Sequence, residues 1–194
     1  MNETRTKSLT VSFKHKPLRI RVLEFDAVDS TNDLCKQMAR SGTKDPFVVR
    51  AHFQRKGRGR YDRVWLSPPH KNLLFSIVVY PDLAVSKTPI ITTLAAQAVI
   101  EVLKPTLKSV LSIKKPNDVL CNGKKIAGIL TEQESVAHKS SFIIVGIGLN
   151  VNTMKEELPE EATSLLREEG RSFDLDALFS EIIITFFKKY EKEF

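Results

Sequence analysis

The chain carries two cysteines in 194 residues, and Cys35 and Cys121 form no C-x-x-C pair and lie outside any histidine-rich stretch. That argues against a zinc ribbon and leaves reduced, structural thiols. No apolar run approaches the roughly 20 residues of a membrane span, and the charged residues 1–22 lack the apolar core of a signal peptide. These absences predict a cytoplasmic protein with no membrane partner. Internal repeats and low-complexity tracts are missing, and no Gly-Lys-Ser/Thr ending marks a P-loop. Nothing before Ile20 is long enough for a helix-turn-helix, which argues against DNA binding as a repressor.

What is present fits one globular domain. Hydrophobic residues make up 42% and charged residues 27% of the chain, far from the composition of disordered segments. Thirty Lys and Arg against twenty-three Asp and Glu give a net charge of +7. Such a balance favours acidic partners, whether phosphorylated ligands, nucleic acid or an acidic protein surface, and does not choose among them.

Residues 1–17 are polar and basic, ending in Lys14-His15-Lys16-Pro17, and read as an extension or edge segment. Ile20 to Phe25 alternates like a half-buried strand, and Asp29-Ser30-Thr31-Asn32-Asp33 supplies a helix start, with Gly42 as its stop. Phe47 to Phe53 is a second strand, Gln54 to Lys71 a loop, and Asn72 to Tyr80 a buried strand ended by Pro81. Thr88 to Leu103 reads as a helix. Three strands follow, Val110 to Lys114, Val119 to Cys121 and Lys124 to Glu132, the last two joined by the hairpin signal Asn122-Gly123. Ser141 to Val151 is a further strand, and after a linker with Pro159 an apolar stripe from Leu175 to Tyr190 marks the last helix. The pattern predicts an α+β domain with a mixed or antiparallel sheet and helices packed on one face.

Three segments carry candidate chemistry. In Lys56-Gly57-Arg58-Gly59-Arg60-Tyr61-Asp62-Arg63-Val64-Trp65, glycines alternate with arginines. Glycine lets backbone N–H groups approach an anion, and guanidiniums clamp phosphate or carboxylate. A solvated basic loop or a nucleic-acid patch has the same composition. In Lys114-Lys115-Pro116-Asn117-Asp118, an acid sits one hairpin away from Lys125, at the head of Ile126-Ala127-Gly128-Ile129-Leu130. Asp118 can hold magnesium and Lys125 can stabilise charge on a phosphate, or the two are a turn former and a strand-end charge. Gly146-Ile147-Gly148-Leu149-Asn150-Val151-Asn152 lacks the third glycine and the following helix of the dinucleotide fingerprint, and marks a strand where another backbone or a ligand passes close.

Taken together and in order, these segments, with Asp29-Ser30-Thr31-Asn32, Gln54, Asn72-Leu73 and Thr163-Ser164-Leu165, resemble the signature blocks of biotin protein ligases. The resemblance spans about residues 20–190 and implies a fold like that of class II aminoacyl-tRNA synthetases. It divides the chain into an N-terminal extension, 1–19, and a catalytic domain, 20–194, with neither an N-terminal DNA-binding domain nor a C-terminal β-domain. It implies ATP-dependent ligation of biotin to a lysine of a biotin carboxyl carrier domain of a carboxylase, through biotinyl-5'-AMP, with Mg2+. A homodimer is compatible with it.

Carried over residue by residue, the resemblance makes Lys125, Arg60 and Arg58 catalytic. Biotin falls to Ser30, Thr31, Asn32, Gln54, Gly57, Arg58, Arg60, Lys125 and Gly128, with the strand around Leu74 and Ser76 lining its ring and chain. ATP falls to Arg58, Arg63, Trp65, Asp118 and Asn150, and the metal to Asp118. Two positions depart from the family pattern: Asp62 stands where glycine is usual, and Lys115 where tryptophan precedes Pro-Asn-Asp. Lipoate or octanoate transfer on the same fold, a non-catalytic biotin-binding protein and a basic nucleic-acid-binding module are the competing readings. The last is disfavoured by the scarcity of aromatics around the basic stretch, Tyr61 and Trp65 only.

Overall fold

Leu73–Val79 is a strand of seven residues, all buried, and it organises the rest. A strand apolar on both faces needs a neighbour on each side and a layer above and below. A computed structural model of the chain describes residues 4–12, 17–136 and 139–194 and supplies all four. The strands are β1 (Thr4–Val11), β2 (Leu18–Val28), β3 (Phe47–Gln54), β4 (Leu73–Val79), β5 (Leu111–Lys114), β6 (Asp118–Cys121), β7 (Lys124–Val136) and β8 (Lys139–Leu149). They form one sheet in the order β1-β2-β3-β4-β8-β7-β6-β5. Among the described residues only the β2/β3 ladder is parallel and the others are antiparallel. The helices are α1 (Thr31–Arg40), α2 (Pro89–Leu103), α3 (Leu165–Glu169) and α4 (Leu175–Glu193).

Side chains alternate across a strand. On β4, Leu73, Phe75, Ile77 and Val79 enter one large apolar cluster with α2 and α4, while Val78 joins a smaller one with Cys35 and Ala39 of α1. The mixed sheet and the α+β class agree with the sequence. Helices on a single face do not: α2 and α4 share one face, and α1 lies against β3, β4 and β8 on the other. A parallel β2/β3 pair requires a crossover between its strands, and α1 is that crossover.

The expected helix start is Ser30, whose side chain accepts from Asp33 N, and Gly42 beyond Ser41 takes φ +100. Asn122 and Gly123 both have positive φ, as a tight hairpin turn between β6 and β7 requires. Residues 4–11 of the basic N-terminal segment pair with β2 as the edge strand; Lys14-His15-Lys16 lies outside the described residues. The linker also contains the short helix α3, capped by Ser164 and closed by Gly170 at φ +68. At the N-terminus of α4, buried Arg50 is ion-paired with Asp176, lies near Glu24 and stacks 4.8 Å above Phe179, which ties α4 to β2 and β3. The guanidinium holds the Asp176 carboxyl below its ordinary range.

Both cysteines are free and buried. Burial pushes the Cys35 thiol far above its usual range and that of Cys121 up to about 11, so neither is a thiolate nucleophile near neutral pH. Among the described residues, no helix is long and apolar enough to cross a membrane.

Candidate active site

The face that α1 leaves open holds a cleft, and the sheet beneath it is set by register. One row across β4, β8 and β7 is Ser76, Gly146 and Leu130; the next is Leu74, Gly148 and Gly128. Three of these six positions are glycines, and side chains occupy the space they leave. A Cβ on Gly146 would lie 2.3 Å from Asn32 Oδ1, and one on Gly148 would lie 2.5 Å from the Trp65 ring. At Gly128 it would lie 2.9 Å from the same ring. What passes close to the Gly-x-Gly strand is therefore a side chain of α1 and one of the arginine loop.

One end of the cleft is neutral and densely hydrogen-bonded. Thr31 donates to Gln54 Oε1 through its backbone N at 2.8 Å and its hydroxyl at 3.0 Å. Ser76 Oγ lies 2.7 Å from Thr31 Oγ1 and 2.6 Å from Asn32 Oδ1, so its single proton serves one or the other. Asn32 Nδ2 donates to Leu130 O at 3.2 Å and to Glu132 Oε2 at 2.7 Å.

The other end is cationic. The glycine-arginine segment closes as a small hairpin: Trp65 N donates to Gly57 O at 2.9 Å, Gly59 N to Arg63 O at 2.6 Å, and Arg58 bridges Val64. Gly57 is required there, since a Cβ would lie 2.5 Å from Trp65 O. At its exposed tip Tyr61 has φ +56, donor Arg60 Nη2 reaches its hydroxyl at 3.1 Å, and Arg60 and Arg63 both lie over its ring. Arg58 Nη2 donates to Asp33 Oδ1 at 2.5 Å and to Glu132 Oε2 at 3.3 Å.

Lys125 stands opposite the hairpin on a fixed backbone. Its N–H donates to Glu161 O at 2.8 Å and its carbonyl accepts from Thr163 N at 2.9 Å. Its ammonium lies 2.9 Å from Asp118 Oδ1 and 5.4 Å from the centroid of Trp65. The Asp118 contact is electrostatic rather than a directed hydrogen bond, since among the described residues Oδ1 has no hydrogen-bond partner. Among the described residues no group of three or more His, Cys, Asp or Glu could hold a metal ion.

Of the residues singled out in the sequence, Ser30, Thr31, Asn32, Gln54, Arg58, Arg60, Trp65, Lys125 and Gly128 line this one cleft. Gly57, Arg63, Leu74, Ser76, Asp118 and Asn150 do not line it. Gly57 shapes the hairpin, Arg63 covers Tyr61, and Asp118 acts on the cleft through Lys125. Asn150 is buried, donating to Thr163 O at 3.1 Å, and among the described residues its Oδ1 has no hydrogen-bond partner. The sequence reading left out Asn117, which lines the cleft and is laced to Ile129 in both directions, and the carboxylates Asp33 and Glu132. Lys115 is exposed, and the side chain of Asp62 lies outside the described residues.

The sequence model of the Biotin/lipoate A/B protein ligase family matches residues 22–150. The chain belongs to that family. It is 36% identical over 169 residues to the Bifunctional ligase/repressor BirA of Bacillus subtilis, covering 85% of this chain and 52% of that protein. It is 37% identical over 142 residues to the Biotin--[acetyl-CoA-carboxylase] ligase of Mycobacterium tuberculosis, covering 71% of this chain and 52% of the relative. The chain thus spans about half the length of these curated relatives. Among solved structures it resembles the biotin protein ligase of Aquifex aeolicus in complex with biotin and ATP, with a TM-score of 0.74 at 29% identity, over 88% of this chain and 70% of that one. It also resembles the Leishmania major enzyme in complex with biotinyl-5-AMP, with a TM-score of 0.67 at 28% identity, over 89% and 75%.

Proposed function

We propose that this protein joins biotin to ATP as biotinyl-5'-AMP and passes the biotinyl group to a lysine of a biotin carboxyl carrier domain of a carboxylase. The observation that carries this reading is the polarity of the cleft, neutral and hydrogen-bonding at the Thr31–Gln54 end and cationic at the Arg58–Lys125 end. Biotin has the same two ends, a neutral ureido ring and a carboxylate. In the first step a biotin carboxylate oxygen attacks the α-phosphorus of ATP and pyrophosphate leaves with the broken P–O bond. In the second a neutral lysine amine attacks the carbonyl carbon, AMP leaves, and an amide forms.

Both reactants of the first step are anions, so their approach must be offset by fixed positive charge. Lys125 and Arg58 supply it from held positions, and Arg60 from the hairpin tip. Ser30, Thr31, Asn32 and Gln54 take the ureido ring, which needs donors and acceptors in fixed places once buried. Trp65 packs over the adenylate from the loop end, and Arg63 and Asn150 belong to the nucleotide side. Asp118 suits Mg2+ as a single carboxylate, since magnesium in such sites is held largely by phosphate oxygens and water. The ion would neutralise phosphate charge there.

Biotin-dependent exchange of pyrophosphate into ATP tests the reading directly. Exchange with biotin and none with lipoate or octanoate is the expected result; exchange with lipoate alone, or biotin binding without exchange, overturns it. A related expectation concerns the loop from Arg55 to Val64, which is glycine-rich, mostly basic and poor in apolar anchors. Trypsin is expected to cut at Arg60 and Arg63 in the free protein and several-fold more slowly with biotin plus MgATP, because ligand anions immobilise the arginines. Equal cleavage rates in both conditions would mean that the loop does not close on ligand.

A further inference from the structure

Resting on the ligase reading of the cleft, we propose that Glu132 is a positioning residue that joins the neutral end of the site to its cationic end. On β7, Gly128, Leu130 and Glu132 alternate onto the cleft face. One oxygen of Glu132, Oε2, accepts from Asn32 Nδ2 at 2.7 Å and from Arg58 Nη2 at 3.3 Å. The two donors come from α1 and from the hairpin, elements with no strand ladder between them.

Asn32 is 4% exposed and held on its other sides by Ser76 Oγ and Leu130 O, over a Gly146 that leaves no room for a Cβ. Its position is set by the buried network, and Glu132 transmits that position to Arg58. Asp33, one residue further along α1, takes the same Arg58 nitrogen from a more exposed side. Both contacts fall on Nη2, whereas a guanidinium carries further N–H donors on Nη1 and Nε. On this proposal those are the donors that take a substrate carboxylate or phosphate, with the two acids holding Nη2. A surface ion pair alone would give no reason for a single oxygen to bind a buried amide as well.

The test uses Glu132→Gln, which keeps the shape and an acceptor for Asn32 but removes the charge from Arg58. Calorimetric biotin affinity is expected to stay within about threefold while single-turnover adenylate formation slows by about tenfold or more, since the lost alignment matters most as the two anions meet. In ligand-free protein, tryptic cleavage at Arg60 and Arg63 should quicken by about threefold or more, and Glu132→Gln with Arg58→Gln should cut no faster than Arg58→Gln alone, the non-additivity of a direct contact. Wild-type adenylation and cleavage in Glu132→Gln, or additive cleavage in the double variant, overturns the proposal. If the wild-type protein lacks biotin-dependent exchange, the ligase reading fails by itself, and the cleavage cycle still decides whether Glu132 holds Arg58.

Discussion

Lys125→Ala is expected to slow formation of biotinyl-adenylate by about a hundredfold or more, the usual cost of removing one preorganised charge-stabilising group. The lysine is suited to such a role by what fixes it. Its backbone is clasped between Glu161 and Thr163, and its ammonium is set by Asp118 on one side and the face of Trp65 on the other. Little reorganisation is needed when charge builds on the α-phosphate, so the benefit is larger in the transition state than in the bound ground state. Biotin affinity should fall by a smaller factor, because the same cation can reach the carboxylate. Lys124→Ala is the control: its Nζ reaches Glu160 O at 3.2 Å, on the outside of the strand. Single-turnover kinetics of both variants, with circular dichroism to confirm folding, decide the matter. A folded Lys125→Ala protein at near-normal rate, or greater damage from Lys124→Ala, would refute the assignment.

The second large effect separates two glycines only two residues apart. Gly146→Ala pushes a methyl group against Asn32, whose amide is bonded to Leu130, Glu132 and Ser76 and has nowhere to go. Overpacking of this kind costs about 1–3 kcal/mol, which for a chain of this size lowers the melting temperature by about 2–12 °C at roughly 2–4 °C per kcal/mol. Gly148→Ala presses instead on Trp65, which ends a loop and can swing away. Its melting temperature should change little while exchange activity drops by about tenfold, because on the proposed function the displaced ring is the one that packs over the adenylate. Trp65 is the only tryptophan, so its emission should shift to the red in Gly148→Ala as the indole leaves the sheet. Calorimetry and fluorescence read the two effects apart, and an unshifted spectrum with full activity would refute the role given to the Gly128/Gly148 platform.

Much of this site was legible in the sequence because its residues sit in short, chemically marked stretches. Asn122-Gly123 set the β6/β7 turn, the run at Leu73–Val79, apolar but for Ser76, announced a buried strand, and Lys125 could be placed at a strand head from its neighbours alone. Nine of the residues singled out in those stretches line one cleft. What escaped depends on register and distance. Glu132 meets Asn32 across 100 positions and Arg58 across 74, and no local pattern announces either contact. The opposite-face placement of α1 follows from a parallel β2/β3 pairing that hydrophobic alternation does not encode. β1 is mostly exposed and polar, so it lacks the apolar signal by which strands are read.

The β4/β8 ladder pairs residues 73–79 with 143–149, and the sheet beneath the cleft straddles that seam. The helix and strand that carry Ser30, Thr31 and Gln54 are neighbours along the chain, and so are the hairpin strands that carry Lys125, Gly128 and Gly148. Each half can form from contacts close in sequence, but joining them closes a loop of some seventy residues, whose entropy must be met before the contacts repay it. The cleft is therefore complete only once the two halves have joined, and on the proposed function a chain with both halves formed but unjoined has nowhere to hold biotin. Biotin and nucleotide, by binding across the seam, would select the closed sheet and raise the stability of the whole chain as their concentrations rise above their dissociation constants.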